Sequence, residues 1–293
     1  MTEQDYRKTD DIPRTTHFLP GTSIEIIRPI KTDLRIQHVL FDFDGTLSLI
    51  REGWPEVMIP MMVEILRSET KTDESDEAIE RIVRDFVTEL TGKQTIYQMI
   101  RLAEEIEKRG GKPDDPAVYK QMYLDRLMER IASRREALRS GKLQPEEMLV
   151  PFSIDILSQL KDKGVHMYVA SGTDEEYVIE EARLLGLDTF FGDKIYGALS
   201  DYKNFSKAMV IERILKENNV PGERLLVFGD GYVEIQDCKA VGGKAIAVAS
   251  DEAGKSGKPD PWKRERLIGA GADIVIPDYR DHKALIDYLF LGA

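Results

Sequence analysis

Five short, mostly apolar runs stand out along the chain: His38 to Phe43, Val165 to Ala170, Leu225 to Phe228, Ala245 to Ala249 and Ile274 to Ile276. Continuous apolar runs of this length read as strands buried on both faces of a parallel sheet. Helical spacing fills the intervals between the later ones. Ile154, Leu157 and Leu160 share one helix face, closed by Gly164. Val178, Ile179, Ala182 and Leu185 share a second, closed by Gly186, and Met209, Val210, Arg213 and Ile214 lie on a third that starts near the cap residue Ser206. Strand alternating with helix predicts βαβ units, hence an α/β fold with a doubly wound, mostly parallel sheet covered on both faces.

The alternation is interrupted early. From Gly45 to Val150 the pattern contains no convincing strand but four helical stretches. Met58 to Leu66 is the first, and Ile79, Ile82, Val83 and Phe86 carry the second, before Gly92. Ile96, Met99, Ile100, Ala103 and Ile106 carry the third, which ends at Gly110-Gly111. Asp115-Pro116 then has the form of an N-cap followed by proline in the first helical turn, opening a long helix to about Leu138. An all-helical block after the first core strand predicts a separate cap module. The expected organisation is a loose arm over residues 1–22, polar and carrying Pro13 and Pro20, an α/β core from 23–48 and 150–293, and a helical cap over 49–149.

Composition narrows the partners. The 293 residues carry 41 basic and 53 acidic side chains, a net charge of −12 and a pI near 5.0. A nucleic-acid surface needs a basic footprint, so nucleic acid is not expected as a partner. Cys238 is the only cysteine, which excludes an internal disulfide and fits a reducing cytoplasm. No apolar stretch approaches the roughly 20 residues of a membrane helix, and the polar N-terminus does not read as a signal peptide.

The candidate chemistry sits at the ends of the strand runs. After Val39-Leu40 comes Phe41-Asp42-Phe43-Asp44-Gly45-Thr46-Leu47, with two carboxylates two residues apart at a predicted strand end. Both would face the crevice at the carboxyl edge of the sheet, where open α/β folds bind ligands. Such a pair repels itself unless a cation or a shared proton intervenes. One carboxylate can then act as nucleophile and the other as proton shuttle, whereas an Asp-Gly turn is the plain structural alternative. Ser171-Gly172-Thr173 lies at the next strand end, where a hydroxyl and free backbone N–H groups suit a phosphoryl oxygen. Lys203 and Lys207 are candidates for a phosphate-neutralising cation, and Asp230 with Glu234 for a hard-cation site at the third strand end.

Asp42-Phe43-Asp44-Gly45-Thr46-Leu47 resembles the first motif of the haloacid dehalogenase-like hydrolase superfamily, and the other three clusters follow in the family's order. The cap's placement resembles the helical-cap group, which includes phosphoglycolate phosphatases and β-phosphoglucomutases. The resemblance implies a Mg²⁺-dependent phosphatase for a small phosphorylated metabolite, acting through an aspartyl-phosphate. It implies Asp42 as nucleophile, Asp44 as acid/base, and Ser171 and Lys207 as phosphoryl contacts. Lys207 lies 23 residues before Asp230 (as in the family) and is preferred over Lys203. The metal would be held by Asp42, Asp230 and the Asp44 carbonyl, with Glu234 standing where the family pattern has Asp. Thr173 would cap the following helix. Arg51 and Trp54, with Lys93 and Gln94 of the cap loop Thr91 to Thr95, are the expected substrate contacts beside Ser171 and Gly172. A phosphomutase using the same residues and a non-catalytic phosphate-binding protein are the alternative functions.

Overall fold

The structure, a computed structural model, describes residues 8–290 apart from 11, 14, 31–35 and 200. Among these residues, eight strands form one sheet: β1 (His17–Phe18), β2 (Glu25–Ile26), β3 (His38–Phe41), β4 (His166–Asp174), β5 (Ile195–Ala198), β6 (Leu225–Gly229), β7 (Lys244–Val248) and β8 (Ile274–Ile276). Their order is β1-β2-β8-β7-β6-β3-β4-β5, parallel from β8 through β5 and antiparallel at the β1-β2 edge. The chain moves outward from β3 through β4 to β5, then returns on the other side through β6, β7 and β8. The switch point therefore falls at the carboxyl end of β3, between β4 and β6.

Alternation across the pleat splits the core into two layers. Val39, Phe41, Phe228 and Ile246 pack in one, while Leu40, Val227 and Ala245 pack in the other. Phe41 and Phe228 stack at 4.8 Å across the central strand pair.

Four helices, α1 (Pro55–Glu69), α2 (Asp76–Glu89), α3 (Thr95–Lys108) and α4 (Pro116–Arg139), fill the interval between β3 and β4. Their starts follow the sequence chemistry. The Ser75 hydroxyl accepts from Ala78 N and the Asp115 carboxylate from Ala117 N, with Pro116 in the first turn. The core helices are α5 (Ser153–Asp162), α6 (Glu175–Leu184), α7 (Asp188–Phe191), α8 (Lys207–Asn218), α9 (Tyr232–Ala240), α10 (Pro261–Ala270) and α11 (His282–Phe290).

Three features depart from the expectations. β3 stops at Phe41 rather than Phe43, so both aspartates lie in the turn beyond it. β4 continues past Ala170 to Asp174, with a register shift against β5 between those two residues. Residues 17–18, inside the expected arm, pair with β2, which in turn pairs with β8. That hairpin covers an otherwise open sheet edge, and it is held by Glu25, whose carboxylate accepts two hydrogen bonds from Arg264.

Candidate active site

The site begins where β3 lets go of the sheet. Asp42 N still donates to Phe228 O, extending the ladder by one bond. The chain then tightens: Thr46, Leu47 and Ser48 all donate their N–H groups to Phe43 O. Gly45 makes the turn at φ +73, and a Cβ on it would lie 2.2 Å from Asp230 Oδ2. A side chain is excluded there both by conformation and by space.

Asp42 projects into a nearly dry cluster. Lys207 Nζ, on the first turn of α8, donates to Asp42 Oδ1 and to Glu234 Oε2, both at 2.8 Å. Asp42, Lys207 and Glu234 are 7%, 4% and 1% exposed. Lys207 is placed by the helix start expected at Ser206, whose hydroxyl accepts from Met209 N. Burial pushes the Asp42 carboxyl well up, aided by the charges of Glu234 and Asp230, while the Lys207 ammonium pulls it down. Lys207 itself is held more firmly protonated by its two carboxylate partners, against its own burial. Glu234 has its second oxygen accepting from Gly231 N, 2.7 Å away.

Asp44 is held differently. Its Oδ2 accepts from Thr173 Oγ1 at 2.8 Å and more weakly from Ser171 Oγ at 3.4 Å. These hydroxyls reach the same atom because β4 runs on, and residues 171 and 173 share one face of it. Thr173 is therefore not the cap of α6. Asp174 occupies the N-cap position, without a side-chain cap bond, and Ser171 Oγ accepts from Thr173 N. The other oxygen, Asp44 Oδ1, is buried with no hydrogen-bond partner. Burial first, with Glu181 and Asp230 adding, pushes this carboxyl up to about 6 against the pull of Arg51.

Arg51 stands behind Asp44 with its Nε 3.9 Å from Oδ1. Its main partner is Glu181 of α6, met by two parallel hydrogen bonds of 3.0 and 2.9 Å. Tyr177 lies under the guanidinium, 5.5 Å from it.

Asp230, after β6, completes a carboxylate cluster. Ligand oxygens of Asp42, Asp230 and Glu234 lie within 4.8 Å of one another. Lys263 Nζ, from the first turn of α10, donates to Asp230 Oδ2 at 2.8 Å, to Glu252 Oε1 at 2.6 Å and to Ser250 Oγ at 3.1 Å. Ser250 in turn donates to Gly45 O. Even with Lys207 on Asp42 and Glu234 and Lys263 on Asp230, three carboxylates in so small a space suit a divalent cation such as Mg²⁺.

These groups open onto a cavity of about 110 Å³ between core and cap. Asp42, Asp44, Arg51, Trp54, Lys93, Ser171, Gly172, Lys207 and Asp230 all line it, so most of the sequence candidates converge. Gln94 and Glu234 do not line it. Gln94 is buried, and its Nε2 donates to Tyr202 O and Phe205 O, tying the cap loop to the segment just before α8. Lys203 is in that segment, over the Tyr202 ring, and outside the cavity lining. The cap loop also meets the core backbone to backbone. Cβ atoms on Gly92, Gly172 and Gly231 would lie 3.3 Å from Gly231 Cα, 2.8 Å from Lys93 O and 3.0 Å from Gly92 Cα.

Lys263, Glu252, Glu181 and Tyr123 escaped the sequence reading. Glu252 was within reach of it, because it follows the predicted run Ala245 to Ala249 on the same carboxyl edge. Lys263, in a helix that no apolar spacing announces, carries no such signal.

The sequence profile of the haloacid dehalogenase-like hydrolases matches residues 36–242. The chain belongs to that family, and it is an enzyme of the hydrolase class. No curated protein matches it. Solved structures share the fold at low identity. A haloacid dehalogenase-like hydrolase of family IA, variant 3, from Entamoeba histolytica is 18% identical with a TM-score of 0.57, over 86% of this chain and 99% of that one. A protein described as a predicted phosphoglycolate phosphatase from Haemophilus somnus is 14% identical with a TM-score of 0.54, over 85% and 97%. CbbY from Rhodobacter sphaeroides, in complex with xylulose-1,5-bisphosphate, is 20% identical with a TM-score of 0.53, over 83% and 95%.

Proposed function

We propose that the protein hydrolyses a small phosphomonoester through an aspartyl-phosphate on Asp42, with Mg²⁺ as its metal. The observation that carries this reading is the unequal treatment of the two aspartates. Asp42, although burial raises its carboxyl too, is ion-paired with the Lys207 ammonium at 2.8 Å, the partner that favours the ionised nucleophile. Asp44 has no ammonium on it: it accepts from two hydroxyls, and its other oxygen, with Arg51 3.9 Å away, has no hydrogen-bond partner on a carboxyl pushed up to about 6, as a proton donor near neutrality would.

In the first step an Asp42 oxygen forms a bond to phosphorus as the bond to the leaving oxygen breaks, and Asp44 gives its proton to that oxygen. In the second, Asp44 takes a proton from water as the water attacks phosphorus and Asp42 is released. Lys207 and the Ser171 hydroxyl offset charge on the phosphoryl oxygens, in a reaction dominated by positioning and electrostatics. Asp42 and Asp230, with the Asp44 carbonyl, would hold the metal. It would offset repulsion among the carboxylates and polarise the phosphoryl group. Glu234 acts through Lys207, and any contact it makes with the metal is indirect. Residues 49–149 serve as the cap over the core. No helix among the described residues is long and apolar enough to cross a membrane, and the lone buried Cys238 supports a cytoplasmic location.

Turnover of nitrophenyl phosphate with and without Mg²⁺ tests the reading. We expect hydrolysis that is lost on chelation and restored by Mg²⁺. An Asp42→Asn enzyme should fold and lose activity by several orders of magnitude. Appreciable turnover in that folded variant would defeat the covalent route.

A further inference from the structure

Lys263 sets an ammonium directly on Asp230. Its Nζ donates to Asp230 Oδ2, Glu252 Oε1 and Ser250 Oγ at 2.8, 2.6 and 3.1 Å, which engages all three of its hydrogens. The start of α10 fixes it there. The Asp260 carboxylate accepts from Lys263 N at 2.8 Å, Pro261 lies in the first turn, and Asp260 N donates to Ala249 O just past β7. Lys207 also bridges two carboxylates, but it lines the cavity and can meet a phosphoryl oxygen. Lys263 is outside the lining, whereas Asp230 and Glu252 are in it. Its influence on the reaction therefore passes through those two carboxylates. The side chains of Lys263 and Asp230 are 12% and 13% exposed, so water screens the pair little. A cation set against a metal ligand opposes metal binding by Coulomb repulsion, so the contact is a cost unless it also does something for the site.

The geometry points to what it does. Lys263 takes Oδ2 of Asp230, while Oδ1 meets Thr46 Oγ1 at a long 3.4 Å and is the more weakly held of the two. Ser250, on the same ammonium, donates to Gly45 O at 2.7 Å. One nitrogen thus ties the end of β6 to the turn that carries Asp42 and Asp44. Four carboxylates, Asp42, Asp230, Glu234 and Glu252, meet two ammonium groups, Lys207 and Lys263. The balance is two negative charges, which one divalent cation cancels. We propose that Lys263 is a positioning residue of the metal site: it clamps Asp230 by one oxygen so that the other is presented to the cation, and it sacrifices metal affinity for that placement. The inference rests on the Mg²⁺-phosphatase reading and extends it to a residue outside the four motif clusters. Without Lys263 both Asp230 oxygens are free and Glu252 stands beside them uncovered, so a cation binds more tightly but is drawn away from Asp42.

Lys263→Met, which keeps most of the side chain and removes its charge, tests this in the full chain. Mg²⁺ affinity is read without substrate, from the rise in Tm across a Mg²⁺ titration. Turnover is read as kcat on nitrophenyl phosphate at saturating Mg²⁺. We expect Mg²⁺ to bind at least about tenfold more tightly, while kcat falls by about 10²-fold. A merely structural role would lower Tm and leave the affinity where it was. Unchanged or weaker Mg²⁺ binding in folded Lys263→Met overturns the inference, and so does tighter binding with kcat unchanged. Should Lys263→Met not fold, Glu252→Gln decides. It leaves the Lys263 charge wholly on Asp230, so Mg²⁺ should bind about tenfold more weakly, and unchanged affinity overturns the inference. If Mg²⁺ does not raise the Tm of the wild-type protein, or wild type does not hydrolyse nitrophenyl phosphate, the underlying reading has failed and this inference falls with it.

Discussion

Replacing Gly45 by alanine separates backbone strain from damage to the carboxylate cluster. Gly45 has φ +73, and a residue with a Cβ pays about 1–2 kcal/mol to sit there. Gly186, with φ +69 and nothing within 4 Å of its would-be Cβ, pays the backbone cost alone. At Gly45 the new methyl would stand 2.2 Å from Asp230 Oδ2 and 2.8 Å from its Cγ, where ordinary contact begins at 3.4 Å. The Asp230 carboxylate must retreat by about 1 Å, and it is tethered, because Lys263 donates to the clashing oxygen. A misplacement of that size in a catalytic constellation costs about 10²-fold. We therefore expect Gly186→Ala to lose about 1–2 kcal/mol, a few degrees in Tm, and Gly45→Ala at least as much. Only Gly45→Ala should also lose about 10²-fold in kcat/KM on nitrophenyl phosphate, with weaker Mg²⁺ binding. Thermal melts, Mg²⁺ titration and steady-state kinetics on the two proteins side by side make the comparison. If Gly45→Ala is as active as Gly186→Ala, the close approach of Gly45 to Asp230 has no functional weight.

Other outcomes follow from the same geometry. Asp44→Asn should lose about 10²–10⁴-fold on alkyl phosphates and less on nitrophenyl phosphate, whose leaving group needs little protonation; equal losses on both would remove Asp44 as the acid. His38, buried and stacked on His166, has its imidazole pushed down to about 4 by burial, with His166 and Lys194 adding. The unfolded chain therefore binds this proton more readily, and its contribution of about 3 kcal/mol, full above pH 6.5, drains away as pH falls toward 4. Denaturant titrations of wild type and His38→Gln across pH 4 to 7 check this, and parallel slopes would rule His38 out as the source. Gln94→Leu removes two buried hydrogen bonds and should cost about 1–3 kcal/mol, read as a lowered Tm. A neutral result would mean that the cap loop does not depend on its tie to Tyr202 and Phe205.

The elements that could be read from sequence were those whose side chains declare their surroundings. The strands β3, β6, β7 and β8 are apolar because they are covered on both faces, and the cap helices show one apolar stripe each. β1, β2 and β5 are two to four residues long. β8 is as short but wholly apolar and buried, whereas β1 is exposed, β2 carries Glu25 and β5 is broken by half-buried Tyr196 and by Gly197, so none of the three is a continuous apolar run. Asp42 and Asp44 were visible because carboxylates after a buried strand are costly without a purpose. Thr173 misled, since Thr before Asp-Glu-Glu has the composition of a helix start, and only the continuation of β4 toward Asp44 makes it a strand residue. Gln94 misled for a related reason. A polar residue in a Gly-Lys-Gln-Thr loop reads as solvent-facing until the carbonyls of Tyr202 and Phe205, more than 100 positions away, turn it inward. Arg51 was recognised as a site residue, but its neutralisation by Glu181, 130 residues on, has no local trace.

The apposition of Gly92 with Gly231 and of Gly172 with the Lys93 carbonyl bears on how caps can be traded between enzymes of this architecture. Two of these glycines belong to the core and one to the cap, and each leaves room for backbone on the other side. A transplanted cap whose loop carries a side chain at position 92 would be propped off the core, whatever the quality of its own substrate contacts. A core with any residue but glycine at 172 or 231 would refuse this cap in turn. Chimaeras built on this protein must therefore move the loop and its two glycine seats as one unit.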